Sequence, residues 1–244
     1  MDLDIVGAAL VYALGIAVLN GLIHGYTGFG GALLMVPLLS VLYNPVEAIA
    51  MVGIANIFGS AQLYPAAARH AVWRELFPII GGIVIFVPLG AYVLFHVDPQ
   101  LVRRSMGGFI LLFAVILMSG WVYRGPRGAV PSAMVGALAG GITGASGVGG
   151  PPIAIYYLAS PHPTEIQRAN IVINITVMVM TVLISIAVGG GFSTDVVLRG
   201  LFLTPAYVIG VWSGVRLFAA MPKSYFKRVA LWLLVATGFA ILVF

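Results

Sequence analysis

The sequence contains no cysteine and very little charge. Of its 244 residues, 8% are Asp, Glu, Lys or Arg, while 61% are hydrophobic. Without cysteine there is no disulfide framework and no thiolate metal site. A soluble domain carries roughly 25% charged residues, which excludes an ordinary soluble fold here. No group of His, Asp and Glu has metal-ligand spacing, and no metal or other cofactor is expected. The 12 basic residues outnumber the 7 acidic ones. They are scattered over short loops, however, and form no stripe of the kind a nucleic acid needs. The short alternating segments of a transmembrane β-barrel are missing as well. So is the basic opening of a cleaved signal peptide. The chain begins Met1-Asp2-Leu3-Asp4, and its first helix is expected to stay in place. The expected class is an all-α integral membrane protein in contact with the lipid bilayer.

What the chain has in quantity is glycine, and a glycine-rich stretch occurs twice. The first copy runs from Gly21 to Gly31 and the second from Gly140 to Gly150. At an offset of 119, Gly21, Ile23, Gly25, Gly28, Gly30 and Gly31 recur as Gly140, Ile142, Gly144, Gly147, Gly149 and Gly150. Thr27 becomes Ser146, which keeps the hydroxyl. At an offset of 118, Pro45, Glu47, Asn56 and Ile57 recur as Pro163, Glu165, Asn174 and Ile175. The early part of each half therefore aligns, although the later helices do not.

Ten hydrophobic segments are predicted: 5–24, 31–43, 46–64, 76–96 and 101–123, then 130–143, 151–159, 165–188, 196–218 and 227–243. Most approach the roughly 20 residues that cross a bilayer. Those at 31–43, 130–143 and 151–159 are shorter, and each flanks a glycine stretch. This predicts two units, 1–124 and 125–244, each with a Gly-rich broken-helix hairpin followed by three transmembrane helices. Arg124-Gly125-Pro126-Arg127-Gly128 joins them. If each hairpin returns to its starting side, the halves are inverted. One side of the membrane then receives nine basic residues and the other only Arg103, Arg104 and Arg199. The positive-inside rule favours that sharper bias, with both termini outside.

Non-helical backbone at membrane depth is tolerated only where it is buried in protein or lines a cavity. A helix that starts after the double glycine offers free N–H groups and the positive end of its dipole. Two such ends at mid-membrane would make an anion site, as discontinuous helices do in many secondary transporters. The expected contacts are the backbone of Gly28, Gly30, Gly31, Gly147, Gly149 and Gly150, with side chains of Thr27, Ser146, Asn56 and Asn174. Candidates for coupling or for drawing in the anion are His24, Glu47, Glu165 and Arg168. Each also has a plainer reading. The two glutamates sit where a helix N-terminus favours a carboxylate, and Arg168 can pair with Glu165 three residues away. Gly21/Gly25, Gly136/Gly140 and Gly210/Gly214 have the small-xxx-small spacing of close helix packing.

Other functions fit less well. Gly144-Ala145-Ser146-Gly147 matches the short G-x-S-G pattern of intramembrane serine proteases. The other copy has threonine there, and a serine nucleophile needs a base within reach. No Lys-Ser/Thr follows the glycines, as a phosphate-binding loop requires. A membrane scaffold would leave the paired broken segments unexplained. No catalytic residue is expected.

Gly25-Tyr-Thr-Gly-Phe-Gly-Gly31 and Gly144-Ala-Ser-Gly-Val-Gly-Gly-Pro-Pro152 resemble the TauE/SafE family of sulfite exporters. The resemblance extends over the chain in length, halves and hydropathy. It implies eight transmembrane segments in two repeats and transport of sulfur oxyanions or organosulfonates, such as sulfite or sulfoacetate, across a bacterial inner membrane. A small anion is thus the expected partner. A homodimer is compatible with the sequence, which fixes no oligomeric state.

Overall fold

The computed structural model describes residues 8–119 and 123–222, together with Tyr225, Arg228 and Trp232. All regular structure among them is helical. The first half holds α1 (Ala8–Thr27), α2 (Met35–Leu42), α3 (Pro45–Ala61), α4 (Tyr64–His70), α5 (Trp73–His96) and α6 (Pro99–Met118). The second holds α7 (Ala129–Ser146), α8 (Gly150–Leu158), α9 (Thr164–Val188) and α10 (Thr194–Ala220). The predicted segment 227–243 lies outside the described residues.

Local chemistry sets several boundaries. Asn44 caps α3, its Oδ1 accepting from the Val46 N–H at 3.0 Å, with Pro45 at the first helical position. Ser193 caps α10 in the same way, through Val196 N–H at 3.2 Å. Such caps satisfy donors that the first turn leaves free.

Three expected boundaries need correction. The segment predicted over 46–64 ends as a helix at Ala61, and the chain then bends by 64° about Gln62 and Leu63 into α4. Pro65 stands in the first turn of α4, where its missing N–H costs least. The segment predicted over 31–43 becomes helical only at Met35, after a turn at 31–34. The segment predicted over 130–143 is longer than expected. It forms the 18-residue α7, which is long and apolar enough to cross a membrane, as are α5, α9 and α10.

Glycine keeps α7 intact where propensity would end it, because its glycines buy close packing. A Cβ at Gly136 would collide with the Ile79 carbonyl of α5, and one at Gly144 with that of Val87. The first helix of the chain repeats the pattern on a different partner. A Cβ at Gly21 or Gly25 would collide with the backbone of Tyr207 or Val211 in α10, and one at Gly214 with Leu22. So α1 runs along α10, and α7 runs along α5. Each glycine-rich helix lies against a late helix of the other half. Between these pairs α3 and α9 pack on each other, with α3 also against α10 and α9 against α5.

The outer faces are apolar. Phe77, Ile85, Leu89 and Tyr92 of α5 are exposed, as are Leu198, Phe202 and Ile209 of α10. The inside holds fully buried Asn20, His24, Thr27, Ser146, Asn170 and Asn174. An apolar exterior around a polar interior is the arrangement of a multi-pass membrane protein.

Candidate functional site

Both glycine stretches form turns between a long helix and a short one. Gly28 and Gly147 stand at equivalent places with φ of 83° and 73°, and Gly30 has φ 90°. This left-handed region disfavours side chains. The N–H groups of Gly28 and Gly147 donate to His24 O at 2.8 Å and Thr143 O at 2.7 Å. These two glycines therefore close the preceding helices, and their amides are not free for a solute as the sequence suggested. Further on, the amides of Gly30 and Gly31, and of Val148 and Gly149, have no acceptor among the described residues.

The hydroxyls expected to face the solute also serve the turns. Thr27 Oγ1 lies 2.7 Å from Ile23 O and 2.6 Å from Phe29 O, and accepts from the Phe29 N–H at 3.2 Å. Ser146 Oγ donates to Ile142 O at 2.7 Å. Ser146 has no histidine beside it: His24 bonds to Ser60, and His162 pairs with Glu75 at 2.9 Å.

Each turn touches both central helices. In the first, a Cβ at Gly28 would meet Val172 of α9 at 2.8 Å, and one at Gly31 would meet Asn56 Nδ2 of α3 at 3.1 Å. In the second, a Cβ at Gly147 would meet Ile49 of α3 at 2.8 Å, and one at Gly150 would meet Ile175 of α9 at 3.5 Å. Val36 of α2 also reaches Gly147. Val36, Ile49, Val172 and Ile175 thus pack against the turns.

Asn56 and Asn174 lie in this region, in unlike surroundings. Asn56 Nδ2 donates to the Tyr207 hydroxyl at 3.0 Å, and its Oδ1 accepts from Ser60 Oγ at 3.0 Å. Ser60 Oγ in turn lies 3.2 Å from His24 Nε2. In the second half, Asn174 Nδ2 donates to Asn170 O at 2.9 Å and lies 3.3 Å from the Tyr157 hydroxyl. Position 178, which corresponds to Ser60, is methionine, and Thr143, which corresponds to His24, donates its hydroxyl to Ala139 O at 2.8 Å and lies 3.7 Å from that sulfur. Several buried polar atoms lack a partner, among them His24 Nδ1, Asn170 Nδ2 and Asn174 Oδ1. Unpaired polar atoms are rare in a buried core, and an ordered water or ion is one means of pairing them.

The charged candidates take specific places. Arg168 does not pair with Glu165. Its Nε donates to Tyr26 O at 3.0 Å and its Nη2 to Gly25 O, capping the end of α1, and its guanidinium lies 4.2 Å from the Phe218 ring centre. Glu47 and Glu165 sit in the first turns of α3 and α9, and Glu165 is exposed. Arginines also cap the short helices. Arg103 of α6 donates to Ser40 O and Tyr43 O at the end of α2, and Arg127 donates to Tyr156 O in α8 at 3.0 Å.

Sequence reasoning missed Tyr207 and Tyr157. Tyr207 is fully buried, and its hydroxyl occupies the space that a Gly31 side chain would fill.

Comparison with known proteins agrees with this architecture. The chain is 27% identical over 221 residues to a protein of Cupriavidus necator named probable sulfite/organosulfonate exporter TauE, covering 87% of this chain and 85% of that one. No solved structure matches the chain. The profile described as Sulfite exporter TauE/SafE matches residues 13–241. The chain belongs to that family.

Proposed function

We propose that the protein is a secondary transporter of a small sulfur-containing anion, such as sulfite, sulfoacetate or a related sulfonate, in a bacterial inner membrane. Units 1–124 and 125–244 are inverted repeats with both termini outside. The free amides of Gly30, Gly31 and Gly149 hold the anion, and Asn56 and Asn174 complete the site. Thr27, Ser146, Gly28 and Gly147 fix the turns that aim those amides. The observation that carries this reading is that both turns rest on the same two helices, α3 and α9. Moving those helices off the turns would open the site, which is the motion alternating access requires. The name borne by the C. necator relative supports the same substrate class.

The test is flux into liposomes of purified protein, comparing sulfite and sulfonates with carboxylates and cations. The proposal expects sulfur oxyanions to move and to raise the melting temperature. Flux of a cation with no response to any anion would end it. Cysteines placed beside each terminus of this cysteine-free chain report topology in intact cells; termini shielded from an impermeant reagent would contradict their placement outside.

A further inference from the structure

The bonds between α1, α3 and α10 form a directed chain. Asn56 Nδ2 donates to the Tyr207 hydroxyl, and Ser60 Oγ donates to Asn56 Oδ1. Ser60 has then used its only proton, so at 3.2 Å it accepts from His24 Nε2–H. His24 is thereby the Nε2–H tautomer, and its Nδ1 is a buried lone pair with no partner. At the far end, the Tyr207 O–H remains as a donor beside Gly31, where two backbone amides are also free. Every donor along the chain points from His24 toward the glycine turn. The second half cannot build this chain, because Met178 stands where Ser60 would be.

We propose that His24 binds the transported proton, and that Ser60, Asn56 and Tyr207 tie its charge to an anion at Gly31. This rests on the anion-transport reading above. A proton taken up on Nδ1 makes the imidazole a cation and its Nε2–H a stronger donor. Chains of hydrogen bonds polarise one another, so the Tyr207 O–H becomes a better donor to the anion. By linkage, the anion raises proton affinity at His24 by the same factor. One proton and one monoanion then travel as a neutral pair.

The groups that face His24 fit this role. Tyr207 of α10 lies 6.1 Å away between ring centres, and α3 contributes neutral Ser60 and Asn56, with Glu47 at its far end. The short α2 carries no titratable side chain. Arg168 of α9 is bound to the carbonyls of Gly25 and Tyr26, beside His24 in sequence. Arg168 has the same sign as an imidazolium, so the counter-charge must come from the anion itself.

The experiment measures the affinity of purified protein for methanesulfonate and for sulfite at a series of pH values from about 5.5 to 8. Proton uptake is read by calorimetry in buffers of different ionisation enthalpy. Wild type should take up one proton per anion, with affinity rising by up to about tenfold for each unit the pH falls. H24Q, which keeps a donor but cannot titrate, should bind without that slope. The difference in slope between the two proteins cancels any ionisation of the anion. S60A, which breaks the chain while leaving both ends, should also lose the proton uptake. Equal slopes in wild type and both variants would overturn the inference while leaving the anion site standing. Failure of wild type to bind either anion would overturn the transport reading and this inference with it.

Discussion

Gly31 and Gly150 hold equivalent places in the two glycine stretches, yet their surroundings differ. A Cβ at Gly31 would collide with the Tyr207 hydroxyl, whereas one at Gly150 would make an ordinary 3.5 Å contact with Ile175. Gly31→Ala should therefore displace the hydroxyl and weaken anion binding at least about tenfold, or about 1.4 kcal/mol. Gly150→Ala should keep wild-type affinity. Titration of both variants with sulfite checks this, and equal behaviour would remove Tyr207 from the site. The glycines were legible in the sequence because their spacing recurs. Tyr207 was not: its bond to Asn56 spans 151 residues, a separation that no local pattern in α10 reveals. The hydroxyls of Thr27 and Ser146 were legible as a pair, but not their direction. Only the folded turn shows that the Thr27 proton goes to a carbonyl of its own turn, that of Ile23 or Phe29, and the Ser146 proton to Ile142 O.

Broken helices leave free groups at both ends of the break. The amides of Gly30, Gly31, Val148 and Gly149 are one set, and the carbonyls that end α1, α2 and α8 are the other. Arginines meet the second set: Arg168 at α1, Arg103 at α2 and Arg127 at α8. Losing a partner leaves a buried polar group unsatisfied, at a cost of about 1–3 kcal/mol. Arg168→Leu should thus destabilise the protein by that order, as a clear drop in melting temperature in detergent. Glu165→Gln should not, because Glu165 is exposed and is not the partner of Arg168. The reverse result would restore the pairing expected from their three-residue spacing. Element positions were mostly readable from hydropathy. The break between α3 and α4 was not, nor was the full length of α7. Glycine lowers helix propensity locally, and only contact with α5 shows why a glycine-rich helix persists.

At the scale of the whole molecule, the packing is exchanged: α1 lies on α10 and α7 on α5. Neither half buries its own glycine face, so the two turns are held by a shared frame. Sequence reasoning reached the two copies and the short helices after them. It could not align α5 with α10, because lipid-facing positions accept almost any apolar residue and leave little pattern to compare. The central claim is that the two turns serve one anion between them. The most direct measurement is a structure of the protein with selenite, whose selenium can be located by its anomalous scattering. The account predicts a single selenium position within hydrogen-bonding reach of the amides at Gly31 and Gly149, with the side chains of Val36, Ile49 and Val172 drawn back. Selenium bound elsewhere, with those side chains still seated on the turns, would contradict it.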